Sequence, residues 1–162
     1  MERLWSPWRM EYIEAAKAAE PEGCVFCDLL RDDGEPARVL ARDGFAFVTL
    51  AKYPYNPGHL LVLPIRHTGD LEDLSGEETA ALSMLLRRSV AALREAMAPH
   101  GFNLGMNLGR ISGAGIPDHL HWHVVPRWSG DTNFMPVVGQ TRVLPQLLEE
   151  TYERLRPRFD DG

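Results

Sequence analysis

The chain has 162 residues, 44% of them hydrophobic and 25% charged, with a formal net charge of −6. That length suits one domain with a buried core, and the composition is that of an ordinary globular protein. The acidic balance argues against a general nucleic-acid binder, whose affinity rests on a basic surface, but it leaves room for a small phosphorylated ligand held by local donors.

No apolar run approaches the ~18 residues that a membrane-spanning helix needs. The first residues, with Glu2, Glu11 and Glu14 among them, lack signal-peptide anatomy, so a cytoplasmic protein with no membrane partner is expected. Residues 6–19 predict a short helix: Ser6 suits the N-cap, Pro7 the first helical position, and Pro21-Glu22-Gly23 ends it. Trp5, Trp8, Tyr12 and Ile13 give it a bulky apolar side, suited to packing on its own core or over a subunit or substrate cleft.

Cys24-Val25-Phe26-Cys27 holds the only two cysteines. In a cytosolic chain this spacing reads as a redox pair, a metal knuckle or two ordinary thiols. A thioredoxin-like role wants the motif at a strand-to-helix junction in a βαβ unit, and no such unit follows. Zinc wants two further ligands.

From residue 38 the apolar period becomes two. Residues 38–42 and 45–50 flank Asp43-Gly44, which predicts a hairpin with a two-residue turn. A Pro- and Tyr-rich connection, 53–58, leads to a third strand over 59–64. Ser75-Gly76-Glu77-Glu78 is a capping box that opens a long amphipathic helix with Leu82, Leu85, Leu86, Val90, Leu93 and Met97 on one side, ending near Pro99-His100-Gly101. A fourth strand is expected from Phe102 to Gly109. The nine residues Gly109 to Pro117 then include three glycines, which let backbone N–H groups approach an anion, while Asn107, Arg110 and Ser112 offer further donors. Residues 119–126 predict the fifth strand, and Leu144, Leu147, Leu148, Thr151, Tyr152 and Leu155 a final helix stopped before Pro157. Hairpins, one long helix between strands three and four, and little βαβ alternation indicate α+β with an antiparallel sheet.

The fifth strand carries the chemistry. His119, His121 and His123 alternate with Leu120, Trp122 and Val124, so in a strand the three imidazoles share one face and the apolar residues enter a core on the other. At ~3.3 Å per residue the outer two Cα atoms are about 13 Å apart, which disfavours one metal shared by all three. A row of imidazoles suits a nucleophile flanked by groups that orient it and handle protons.

His119-Leu120-His121-Trp122-His123-Val124-Val125 resembles the His-φ-His-φ-His-φ-φ motif, φ being apolar, of the histidine triad (HIT) superfamily of nucleotidyl hydrolases and transferases. Asn56-Pro57-Gly58-His59-Leu60-Leu61-Val62-Leu63-Pro64, Leu71-Glu72-Asp73-Leu74, Asn107-Leu108-Gly109 and Val125-Pro126-Arg127-Trp128 fall in the order that family uses. The match covers about residues 24–152, with 1–23 as a helical extension of a single domain spanning 1–162. Tyr53 to His59, Pro99 to Asn103 and Val125 to Phe134 are most similar to the diadenosine tetraphosphate phosphorylase and diadenosine polyphosphate hydrolase branch.

The resemblance implies a HIT-like fold of five antiparallel strands, a homodimer, and a nucleotide as the small-molecule partner. It implies His121 as nucleophile, His123 and His59 as groups that bind phosphate or position the triad, and His119 as a catalytic-strand residue. Asn107, Arg110, Ser112, Gly113 and Gly115 fall where the family binds phosphate oxygens. Zinc-bearing members supply Cys-x-x-Cys, a histidine after the third strand and the first triad histidine, which here are Cys24, Cys27, His67 and His119: one structural zinc per chain. Magnesium is a further candidate ion, travelling with the polyphosphate. Ala114 and Gly115 stand where hydrolase members carry Gln and Ser or Thr, which leaves space for inorganic phosphate as acceptor. Ala51 stands where many members have a ribose-binding Asn or Asp. The implied reaction is cleavage of diadenosine polyphosphates, by phosphorolysis or hydrolysis, through a nucleotidyl-histidine. Two alternatives are a purine-nucleotide-binding protein with slow, phosphoramidase-type turnover, and a zinc hydrolase using His119 and His121 as ligands.

Overall fold

The computed structural model describes residues 23–31, 38–131 and 147–159. In chain order these form α1 (Val25–Arg31), β1 (Val39–Arg42), β2 (Ala46–Leu50), β3 (Leu60–Pro64), α2 (Gly76–Met97), β4 (Gly101–Met106), β5 (Trp122–Arg127) and α3 (Leu148–Leu155), with short 3-10 turns at Leu71–Asp73 and Arg156–Phe159. One five-stranded sheet has the order β1-β2-β3-β5-β4, every neighbouring pair antiparallel. The long helix lies between strands three and four in sequence, as the apolar period predicts. The helix expected over 6–19 lies outside the described residues. No helix among the described residues is long and apolar enough to cross a membrane.

Every residue of β2 and β3 is buried, because both faces of the sheet are covered. Alternation sorts their side chains. Val48, Leu50, Leu60, Val62 and Val124 join Leu82, Leu85 and Leu93 of α2 and Leu155 of α3 in one core. Phe47, Leu61 and Leu63 point the other way and pack with Phe26 of α1 and Ala51. His123 is on β5 beside Leu61 of β3 and Gly105 of β4. It therefore shares the face that α1 covers.

The capping box forms as the sequence predicts. Ser75 accepts from the Glu78 amide at 3.1 Å while the Glu78 carboxylate accepts from the Ser75 amide at 2.8 Å. The helix ends at Ala98 in a left-handed conformation. The final helix stops before Pro157, but its regular part begins at Leu148, and Leu144 lies outside the described residues.

Three boundaries differ from expectation. The turn between β1 and β2 sits one residue later than Asp43-Gly44, since Arg42 pairs with Phe47 and the Asp43 amide donates to the Ala46 carbonyl at 2.9 Å. Its geometry comes from the Asp43 carboxylate, which accepts from the Phe45 and Ala46 amides, both at 2.7 Å, so a side-chain cap replaces the left-handed glycine of a primed turn. β4 ends at Met106 instead of Gly109, because its partner β5 begins only at Trp122. His119 and His121 thus precede the paired strand, and the Leu120 amide donates instead to the Thr68 carbonyl at 2.7 Å.

Two glycines let the segments beside the histidines approach closely. Gly58, just before His59, has φ +78° and a Cβ there would meet Met97 Sδ at 2.7 Å. At Gly69 a Cβ would meet the Pro117 carbonyl oxygen at 2.7 Å, so only glycine lets the segment after His67 pass directly under the start of the triad.

Candidate active site and metal centre

Three histidines of the site, His59, His119 and His121, receive a defined tautomer from the backbone, and His123 receives its own through His59. An amide can only donate and a carbonyl can only accept, so each such contact assigns a proton. The Tyr55 amide donates to His59 Nδ1 at 3.1 Å, which leaves the His59 hydrogen on Nε2. That Nε2 lies 3.0 Å from His123 Nδ1 and donates to it, so His123 carries its own hydrogen on Nε2. His121 Nδ1 donates to the His119 carbonyl at 2.8 Å, leaving a lone pair on Nε2. His119 Nε2 donates to the Pro64 carbonyl at 2.9 Å, leaving its lone pair on Nδ1.

Burial supports the neutral forms. His119 is fully buried, His59 and His121 nearly so, and desolvation pushes the His119 and His121 imidazoles below their ordinary range, against the smaller opposing pull of their carbonyl hydrogen bonds. A neutral imidazole whose Nδ1–H is anchored and whose Nε2 carries a lone pair has the form required of a nucleophile. Its neighbours are in place: the His121 and His123 ring centroids are 5.1 Å apart, and those of His59 and His123 5.2 Å.

The His119 lone pair faces a second cluster. Its Nδ1 lies 3.3 Å from Cys24 Sγ, 3.6 Å from Cys27 Sγ and 3.3 Å from His67 Nδ1, and Cys27 Sγ lies 3.5 Å from His67 Nδ1. All four ligand atoms fall within 4.8 Å of one another. A tetrahedral ion with bonds of ~2.3 Å to sulfur and ~2.05 Å to nitrogen requires edges of about 3.5 Å for S···N and about 3.3 Å for N···N. Four of the six edges lie close to these values and the other two within 4.8 Å, so the cluster fits a Cys₂His₂ metal site, and the His119–Pro64 bond is the outer-sphere brace such a ligand wants. His121 is not part of the cluster, and its Nδ1 is engaged by the His119 carbonyl. A catalytic metal bound by His119 and His121 together does not fit this geometry.

The sequence missed Phe26. It sits inside the Cys-x-x-Cys on α1, is buried, and packs its ring 5.5 Å from that of His119 and 5.2 Å from that of His121. An apolar residue between two cysteines carries no signal of this contact. Tyr55 was also unassigned, and its ring stacks on His59 with centroids 5.0 Å apart and planes 15° from parallel.

The glycine-rich loop leaves β4 level with His121, since Met106 pairs with Trp122 and Asn107 is the next residue. Gly109 and Gly113 have φ of +73° and +92°, and the Gly113 amide donates to the Arg110 carbonyl at 3.1 Å, closing a tight turn. Arg110 and Gly115 are exposed at its surface. The Ser112 hydroxyl donates to the Gly109 carbonyl at 2.8 Å, so its proton braces the loop. Ala51 is buried against the α1 side of the sheet and offers no polar atom from its side chain.

Residues 33–130 match the HIT domain family model. The chain is 41% identical over 157 residues to the AP-4-A phosphorylase of Mycobacterium tuberculosis, covering 93% of this chain and 80% of that protein. It is 31% identical over 104 residues to the adenosine 5'-monophosphoramidase of Schizosaccharomyces pombe, covering 64% of this chain and 74% of that one. Among solved structures, a Zn-bound histidine triad family protein from Mycobacterium smegmatis superposes with a TM-score of 0.69 at 30% identity, covering 85% of this chain and 94% of the other.

Proposed function

Because this chain belongs to the HIT domain family, we propose that it cleaves diadenosine polyphosphates, diadenosine tetraphosphate first among them, by nucleotidyl transfer through His121. The observation that carries this reading is the His121 tautomer: Nδ1–H held by the His119 carbonyl at 2.8 Å, Nε2 available to a phosphorus atom. The similarity to an AP-4-A phosphorylase over 93% of the chain supports the substrate class.

In the first step His121 Nε2 bonds to the α-phosphorus, the bridging P–O bond breaks, and ATP departs with the electron pair. An AMP–histidine phosphoramidate remains. Phosphate then attacks the same phosphorus, the P–N bond breaks, and ADP leaves with the imidazole restored. The Nε2–H of His123, oriented by His59, supplies a donor to the phosphate oxygens, and loop groups at Asn107, Arg110, Gly113 and Gly115 share the negative charge that phosphoryl transfer concentrates there. Magnesium enters, in this reading, only as a companion of the polyphosphate.

Cys24, Cys27, His67 and His119 would hold one structural zinc, which ties α1 and the segment after β3 to the start of the triad. A cytoplasmic location suits two thiols kept reduced as ligands. We take residues 1–162 as one HIT domain that works as a homodimer. Among the described residues β4 is an edge strand, and Leu104 on it is exposed beside an apolar groove with Leu86 and Val90 of α2, which supports pairing with a second copy.

The test is to incubate diadenosine tetraphosphate with enzyme, with and without phosphate, and identify the products. ATP plus ADP, formed faster with millimolar phosphate, is expected. ATP plus AMP at equal rates under both conditions would make water the acceptor. The similarity to a monophosphoramidase favours a second reading, in which the same histidine cleaves P–N bonds. Faster turnover of adenosine 5'-phosphoramidate than of diadenosine tetraphosphate would select it.

A further inference from the structure

The proton arrangement of the His59–His123 pair is set at the Tyr55 backbone amide, and that amide is held by the side chain of the next residue, which reaches to the end of β5. Asn56, the next residue, donates from Nδ2 to the Pro126 carbonyl at 3.0 Å and to Asp131 Oδ2 at 2.8 Å. Its own carbonyl accepts from the His59 amide at 3.1 Å, closing the turn that carries Tyr55 back over the imidazole. Asp131 is itself held: Arg127 grips it with Nε at 2.6 Å and Nη2 at 2.8 Å, and the Trp128 amide donates at 3.1 Å. The third guanidinium nitrogen, Nη1, donates to Asn103 of β4 at 2.8 Å. The 53–58 segment is thus fastened to the end of β5, the strand that bears His123.

We infer that Asn56, anchored by Asp131, is a positioning residue that selects the proton arrangement of the His59–His123 pair by holding the Tyr55 amide on His59 Nδ1. The consequence follows from the donor and acceptor inventory of imidazole. With the amide in place, His59 presents Nε2–H to His123 Nδ1, and His123 carries its hydrogen on Nε2, a donor beside His121. Without it, His59 is free to carry its hydrogen on Nδ1 and to offer a bare Nε2. His123 must then protonate Nδ1, and its Nε2 changes from a donor to a lone pair. A lone pair facing a phosphate oxygen repels it, so one lost amide contact converts an attraction into a repulsion two rings away. The Tyr55 ring, stacked on His59, adds a steric restraint on rotation but assigns no proton.

This inference rests on the nucleotidyl-transfer reading for its functional part, and its test separates the two. Wild type, Asn56→Ala and the isosteric Asn56→Asp, which cannot donate to Pro126 or Asp131, are compared by nitrogen-15 spectra of the histidine rings and by turnover of diadenosine tetraphosphate. In the wild type both His59 and His123 should be single Nε2–H tautomers. In the variants that signature should give way to a mixture or to the Nδ1–H form, with kcat/KM lower by on the order of 10-fold or more, a share of the ~10²–10⁴ that a positioned proton-handling group contributes. A wild-type His59 bearing Nδ1–H overturns the inference even if neither variant folds. So does a variant that loses activity with both tautomers intact, or one whose tautomers change while kcat/KM does not. Wild type inactive on this substrate would refute the proposed function alone, since the spectra still report the tautomers.

Discussion

The ring of Phe26 lies 5.2 Å from the ring of His121, so a residue flanked by two metal-type cysteines forms one wall of the proposed nucleophile. Phe26 is buried and touches His119 as well, which makes α1 a lid over both imidazoles. Phe26→Ala should cost ~3–5 kcal/mol by removing a large buried side chain, and should lower kcat about 10-fold or more by letting water and rotation reach His121. Phe26→Leu, which refills most of the volume, should recover most of the stability. Thermal melting and steady-state kinetics on the two variants check this, and equal kcat in Phe26→Ala and wild type would remove Phe26 from the site.

The cluster geometry gives the proposed zinc a place in the fold. Metal analysis should find about one zinc per chain, and chelation should lower the melting temperature, because one ion would tie together ligands on α1, after β3 and before β5. Cys24→Ser should destabilise more than a substitution at an exposed residue such as Glu77. A protein purified metal-free, whose melting is indifferent to Cys24→Ser, would reduce the four residues to an accidental grouping.

Why some of this was legible in the sequence, and some not, has physical causes. The histidine alternation survives past the end of the β-ladder: the Leu120 amide bonds to Thr68, and His119 and His121 both meet Phe26, so the pattern was readable but the strand boundary was not. The metal set required a family resemblance, since nothing in the spacing of Cys27 and His67 indicates that their ligand atoms come within 3.5 Å. α1 is seven residues long, too short for an amphipathic period, and packs through Phe26 into a core its own sequence does not announce. The hairpin was legible but its turn was displaced, because an Asp side chain did the work that Gly44 was expected to do. Least visible were contacts that use the backbone: the Tyr55 amide on His59, and the Asn56–Asp131 bond across 75 residues of sequence.

Glu78 connects stability to pH. Its carboxyl is held down at about 2, first by the Arg66 guanidinium, which donates at 2.8 and 2.9 Å, and then by the Ser75 amide, against the opposing effect of burial. A folded value below the unfolded one means the contribution is fully present above the unfolded carboxyl range and is lost as pH falls through it toward the folded value. The stability difference between wild type and Glu78→Gln should therefore be constant above about pH 5 and shrink between about pH 4.5 and 2. Melting temperatures of the two proteins across that range test this, and a gap that stays constant down to pH 2 would contradict it.

His121 is the residue on which the proposed chemistry turns. In that reaction its neighbours would hold phosphate and orient protons, while its own Nε2 has a lone pair and an anchored partner nitrogen beside the His59–His123 pair. His121→Ala should remove nearly all turnover, on the order of 10³-fold or more, because the two-step route loses its intermediate. Substrate should still bind, since the loop and His123 remain, so the loss should appear in kcat. His123→Ala and His59→Ala should lower binding and rate together, each by less, while His119→Ala should disturb the metal cluster and the strand at once. The direct measurement is a brief reaction with α-labelled diadenosine tetraphosphate, quenched in alkali, which spares a phosphoramidate to histidine. Label retained on wild type and absent from His121→Ala is the expected result. Label on neither protein, with turnover undiminished in the variant, would mean that phosphorus is attacked by the acceptor directly and that His121 only supports the strand.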